Sequence, residues 1–145
     1  MKKILLSTLA VVALSIVQAT ADNIPITTQQ LPKAAQEWLS THYPNNKVTV
    51  ALHDRDITDN DYSVRLDNGT KVEFDNNGKW ESVKSNSEKL PATVIPAAID
   101  KYIAQHFPQS PIVKIERKRY GYEVELANDL DLKFDSNGKF IAIDD

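Results

Sequence analysis

Two histidines stand at matching places in the chain, His42 and His106, each followed by an aromatic residue and a proline. A histidine pair could ligate a metal or move a proton. A metal centre needs three or four convergent ligands, however, and no Cys, His or Glu lies at ligand spacing beside either one. Packing in the last turn of a helix, where a partial positive charge suits the helix end, is the better reading. The segment His53-Asp54-Arg55-Asp56-Ile57-Thr58-Asp59-Asn60-Asp61 is the next candidate. Asp54, Asp56, Asp59 and Asp61 could coordinate Ca²⁺, which takes oxygen ligands. The loop lacks the Gly and terminal Glu of a calcium-binding helix-loop-helix, and Arg55 sits among the carboxylates, so a solvated hairpin tip is preferred. Glu123 and Glu125 share one strand face, but a glycosidase needs its carboxylate pair in a deep cleft. No nucleophile-elbow, metalloprotease or phosphate-loop motif occurs, and Gly numbers only four. The expectation is a protein that is not an enzyme and uses no cofactor.

These residues are carried by a repeat. Pro32, Ala34, His42 and Pro44 recur as Pro96, Ala98, His106 and Pro108, while Tyr62, Val64 and Leu66 recur as Tyr122, Val124 and Leu126. Phe74-Asp75-Asn76-Asn77-Gly78-Lys79-Trp80 recurs as Phe134-Asp135-Ser136-Asn137-Gly138-Lys139-Phe140. The offset is 64 at Pro32/Pro96 and 60 at Tyr62/Tyr122, so copy one holds four extra residues between helix and later strands. Such self-similarity marks a duplicated structural unit.

In each copy Pro32 or Pro96 suits the first turn of a helix. Ala35, Trp38, Leu39 and His42, like Ile99, Tyr102, Ile103 and His106, fall at i, i+3, i+4 and i+7, which predicts one buried stripe. Pro44 and Pro108 end the helices. The period then changes to two. Val48, Val50 and Leu52, then Tyr62, Val64 and Leu66, then Val72 and Phe74 alternate with polar or small residues; copy two repeats this through Phe134. Asn-Gly and Asp-x-x-Gly turns mark hairpins.

The predicted fold is α+β: two tandem helix-plus-four-strand modules, 22–86 and 87–145, forming one antiparallel sheet of about eight strands. Both helices lie on one face, and joining the copies edge to edge hides two exposed strand edges. The fourth strands are expected at 80–83 and 140–143, with a linker at 85–88 and a short turn over 90–93.

Lys2 and Lys3, an apolar run from Ile4 to Val17 and Ala19-Thr20-Ala21 predict a signal peptide over 1–21, cleaved after Ala21. The run is shorter than the ~20 residues that span a bilayer, and no Cys follows it for a lipid anchor. The expectation is a periplasmic or secreted protein with no membrane insertion after cleavage. Of 17 basic residues two are Lys2 and Lys3, so 15 face 20 acidic ones thereafter, a net charge of −5. That balance argues against nucleic acid and anionic membranes. With no Cys the fold rests on its core alone.

Leu-Pro, a helix ending His-Tyr-Pro or His-Phe-Pro, then Tyr-x-Val-x-Leu and Phe-Asp-x-x-Gly-Lys-aromatic resemble the PepSY-like, β-lactamase-inhibitor-like family. The resemblance covers nearly all of the chain beyond residue 21. It implies a fold similar to the β-lactamase inhibitory protein and a role in protein or peptide binding. The expected partner is an unidentified protein or peptide, held by the open sheet face through Arg65, Lys71, Glu73, Glu123, Glu125 and Lys133. The 54–61 loop and Trp80 are rim candidates, although Trp80 has Phe140 as its counterpart and packing suits it better. Contrasting signs on the 53–61 loop and the basic 116–121 loop predict one acidic and one basic end of the sheet. The alternative function is an envelope calcium or small-ligand binding protein.

Overall fold

The computed structural model describes residues 23–56 and 60–144. The expected signal segment, 1–21, lies outside the described residues, as does Asp59. The chain runs β1 (Asn23–Pro25), a 3-10 turn (Thr28–Gln30), α1 (Lys33–His42), β2 (Val48–Asp54), β3 (Tyr62–Leu66), β4 (Lys71–Phe74) and β5 (Trp80–Lys84). Copy two follows as α2 (Ala97–His106), β6 (Ile112–Lys118), β7 (Gly121–Leu126), β8 (Asp131–Asp135) and β9 (Phe140–Asp144). All nine strands form one antiparallel sheet in chain order. The ninth, unforeseen strand is β1, which pairs with the outer edge of β2.

The two copies meet where β5 pairs with β6, Val83 opposite Ile115, so one sheet and one core run through both. Each helix lays its aromatic residue edge-on against a fully buried phenylalanine of the sheet. Trp38 meets Phe74 at 5.6 Å and Tyr102 meets Phe134 at 5.5 Å between ring centroids. Burying each phenylalanine contributes roughly 2–3 kcal/mol.

The repeated Phe-Asp-x-x-Gly-Lys segment has a mechanical explanation. Asp75 Oδ1 accepts the backbone N–H groups of Asn77 and Lys79, both at 2.9 Å, and Asp135 does the same for Asn137 and Lys139. Gly78 and Gly138 follow at φ +84° and +81°. Each lies against its own helix start: a Cβ would come within 2.8 Å of Pro32 Cβ at Gly78, or of Ala98 Cβ at Gly138. Positive φ and the close approach together demand glycine. The motif therefore docks a hairpin onto a helix N-terminus.

Two expectations change in detail. Val50 is 43% exposed and Ala51 is buried, because a bulge between Val48 and Val50 shifts β2 out of simple alternation. The histidine stripe also ends early: Ala35, Leu39, Ile99 and Ile103 are buried, while His42 is half-buried and His106 exposed. Instead Tyr43, the residue closing α1, turns into the core at 6% exposure. Among the described residues its hydroxyl meets no partner in full hydrogen-bond geometry, Thr70 being the nearest polar influence on it. Burial pushes its pKa up to about 12, against a smaller opposing influence from Thr70.

Candidate functional site

The strand register places a two-signed row of charge on the face turned away from the helices. Arg65 pairs with Lys71, Lys71 with Lys84, and Lys84 with Lys114. The row continues with Glu125 opposite Lys114, Asp131 opposite Glu125 and Asp144 opposite Asp131. At a strand spacing of ~4.8 Å, four cations and then three carboxylates follow one another across the sheet. Like charges directly opposite one another destabilise a sheet, so this row is costly to the free fold. The adjoining row reads Ser63, Glu73, Ser82, Glu116, Glu123, Lys133 and Ala142.

Copy two neutralises part of its charge internally. Lys114 Nζ lies 3.0 Å from Glu116 Oε1, and Lys118 Nζ 3.6 Å from Glu116 Oε2. Partial burial pushes the Glu116 pKa up, but the hydrogen bond and charge of Lys114, with Lys118 behind it, leave it below the ordinary value. Lys114 is the mirror case: burial lowers it, and Glu116, Glu125 and Asp131 leave it raised. These side chains and Glu123 line a shallow hollow of about 110 Å³. At the sheet edge Lys133 meets Asp144 at 3.3 Å, which raises the lysine pKa. Among the described residues Arg65, Lys71 and Lys84 form no ion pair. Among the described residues the copy-one half of the row is thus cationic and without an ion pair.

Arg65, Lys71, Glu73, Glu123, Glu125 and Lys133 share this face. Trp80 does not. It lies on the helix side, 6.5 Å from Trp38 and 6.4 Å from Tyr122, with the Arg117 guanidinium 5.6 Å above its ring. Asp131 belongs to the face as its alternation with Leu130 and Leu132 predicts, whereas Lys84, Lys114, Glu116 and Asp144 belong to it but escape a simple pattern. Lys84 ends a strand, and the bulge between Ile112 and Lys114 hides the phase of β6.

The acidic loop holds the four extra residues of copy one. Asp54 closes β2 and Asp54 N–H donates to Asp61 O at 2.8 Å. Asp54 Oδ1 accepts from Asp56 N–H at 3.1 Å, which makes it a turn-forming group. His53 stacks on Tyr62 at 4.2 Å, and its Nε2 lies 2.7 Å from Asn60 Oδ1. Among the described residues no group of three or more His, Cys, Asp or Glu is arranged to hold a metal ion. The basic segment is mostly strand: Glu116, Arg117 and Lys118 belong to β6, and only Arg119-Tyr120 forms the turn. Antiparallel order puts this turn and the acidic loop at the same end of the strands, so they are not opposite poles. The sign change runs across the strands.

The histidines hold local structure. His42 Nδ1 lies 3.0 Å from Thr93 Oγ1, tying α1 to the turn before α2, and burial lowers its pKa. His106 stacks on Tyr102 at 4.0 Å with Nδ1 3.0 Å from Tyr102 O.

The family model described as "Putative beta-lactamase-inhibitor-like, PepSY-like" matches the chain twice, over residues 17–68 and 60–142. Solved structures of Bacteroides proteins share the fold. One from Bacteroides thetaiotaomicron, described as a putative calcium-regulated periplasmic protein, is 40% identical with a TM-score of 0.83, covering 87% of this chain and 99% of that one. A putative periplasmic protein of the DUF2874 family from Bacteroides vulgatus is 42% identical with a TM-score of 0.79, covering 86% and 98%. Another from Bacteroides vulgatus, a putative periplasmic protein of unknown function, is 34% identical with a TM-score of 0.80, covering 85% and 99%. A comparison with curated proteins finds no match.

Proposed function

Because the chain belongs to this PepSY-like, inhibitor-like family, we propose that it is a non-enzymatic binding protein of the periplasm that holds a protein or peptide on its open sheet face. One observation carries this reading: the row Arg65, Lys71, Lys84 and Lys114 against Glu125, Asp131 and Asp144. A pattern unfavourable to the free sheet is explained by a partner that supplies carboxylates over copy one and cations over copy two, orienting itself by charge. The likeness to proteins described as periplasmic supports export and removal of residues 1–21. The test is capture of partners from the native periplasm by the intact chain and by a form carrying Arg65→Glu, Lys71→Glu and Lys84→Glu. Loss of a partner with the reversed form is expected. Equal recovery by both removes the sheet-face role.

A second reading, calcium-linked binding, is favoured by the 40%-identical relative described as calcium-regulated. Asp54, Asp56, Asp59 and Asp61 are its ligand candidates in this chain. A ligand that binds only the folded state at 100 times its Kd stabilises by roughly 2.7 kcal/mol. Calcium should then raise the thermal midpoint, and EDTA should return it. Identical melting with and without calcium rejects this reading.

A further inference from the structure

The duplication supplies an internal comparison for the last strand. β5 and β9 are the same strand of the two copies, Val83 corresponding to Ile143 and Glu81 to Ile141. β5 is covered by β6, through Ser82 opposite Glu116, Val83 opposite Ile115 and Lys84 opposite Lys114. Val83 is fully buried as a result. β9 has no strand on its outer side among the described residues, and Ile141 and Ile143 remain 50% and 47% exposed. Native sheets ordinarily protect such edges with charge, proline or brevity. The opposite edge is protected in that way. β1 is three residues long and ends in Pro25.

β1 also decides which partner can cover β9. The strand equivalent to β6 is β2, with Val50, Ala51 and Leu52 in the places of Lys114, Ile115 and Glu116. On β2 those places are taken, because Pro25 pairs with Leu52 and Ile26 N–H donates to Ala51 O at 3.0 Å. Head-to-tail addition of one molecule to the next, β9 onto β2, is therefore blocked. Pairing of β9 with itself is open. An antiparallel pairing centred on Ala142 brings Ile141, the extra residue of the bulge in β9, alongside Ile143 of the second copy, twice. No like charges meet.

We propose that β9, Phe140–Asp144, is the docking edge for a second copy of this chain, giving a two-fold dimer in which the sheet continues from β9 to β9. Such an isologous contact closes on itself. It leaves the charged face of each protomer open and is independent of the partner-binding role. A strand-edge contact is smaller than the ~1,200 Å² of standard stable interfaces, so the dimer is a weak one.

The test uses the exported chain purified from the periplasm of an expressing bacterium. Sedimentation equilibrium up to about 1 mM, the concentration scale of a weak association, should show monomer and dimer. Ile143→Lys should be monomeric throughout with an unchanged helix and sheet signal. The chain contains no cysteine, so a single introduced one reports alone. Two residues meeting across the two-fold axis fall within the ~4.4–6.8 Å Cα separation a disulfide needs. Ala142→Cys should give covalent dimer on mild oxidation well above Lys79→Cys, an exposed turn position. A wild-type chain that stays monomeric at 1 mM overturns the proposal. So do species larger than dimer, or Ala142→Cys cross-linking no better than Lys79→Cys.

Discussion

Replacing Lys84 by Glu should make the isolated protein more stable while weakening the proposed capture of a partner on the sheet face. Lys84 stands between Lys71 and Lys114 in the register, exposed and without an ion pair among the described residues. A favourable cross-strand charge pair contributes ~0.2–1 kcal/mol and an opposed like pair costs a similar amount. Solvent exposure favours the low end of that range. Lys114 is already engaged by Glu116 at 3.0 Å, so most of the gain comes from Lys71. The combined effect is about 0.5–1 kcal/mol, which raises Tm by roughly 2–4 °C for a chain of this size. Lys84→Gln, which only removes the repulsion, should gain about half as much. The assay is thermal unfolding followed by circular dichroism in ~10 mM and ~1 M NaCl. The Debye length falls from ~30 Å to ~3 Å between those salts, below the strand spacing, so the gain should largely vanish at high salt. A lower Tm for Lys84→Glu at low salt would refute the reasoning. A gain that survives 1 M salt undiminished would show that something other than charge produced it.

Gly138→Ala should destabilise through both the positive φ of its turn and the 2.8 Å approach to Ala98 Cβ; urea unfolding should show a loss of at least ~1 kcal/mol. Tyr43→Phe removes a buried hydroxyl that meets no well-formed hydrogen bond among the described residues, so stability at pH 7 should stay level or rise by up to ~1 kcal/mol. The same substitution tests the raised phenol. With a folded pKa of about 12 against an ordinary 10, Tyr43 contributes stability that is fully present below pH 10 and lost as pH climbs towards 12. Tyr43→Phe should flatten that part of an alkaline unfolding profile. For His42 the shift is downward, so its contribution is present above the ordinary histidine pKa of about 6.5 and declines as pH falls through the lowered value. His42→Gln should lessen the acid-side loss of Tm.

The parts legible in the sequence are those where one residue type has one physical solution. Gly78 and Gly138 had to follow an aspartate-capped turn, Trp38 and Tyr102 had to face the sheet, and Val64, Val72, Val124 and Leu132 had to point inward. Alternation failed where the backbone carries an extra residue. The bulges after Val48 and Ile112 moved Val50 out of the core and put Lys114 on the open face. The site was legible only in part for a related reason. Glu123 and Lys133 are visible from their own strands, but a row across the sheet exists only once the register of β3 to β9 is known. β1 carries almost no pattern of its own, since three residues with a proline become a strand only because β2 offers an edge.

Site-specific photo-crosslinking in the native periplasm tests the central claim most directly. A photoreactive residue placed at Lys71 or Glu123 on the open face should yield a discrete adduct, and one placed at Glu37 or Lys101 on the helix side should not. Adducts of equal yield from both sides, or from the helix side alone, would contradict a partner held on the charged face of the sheet.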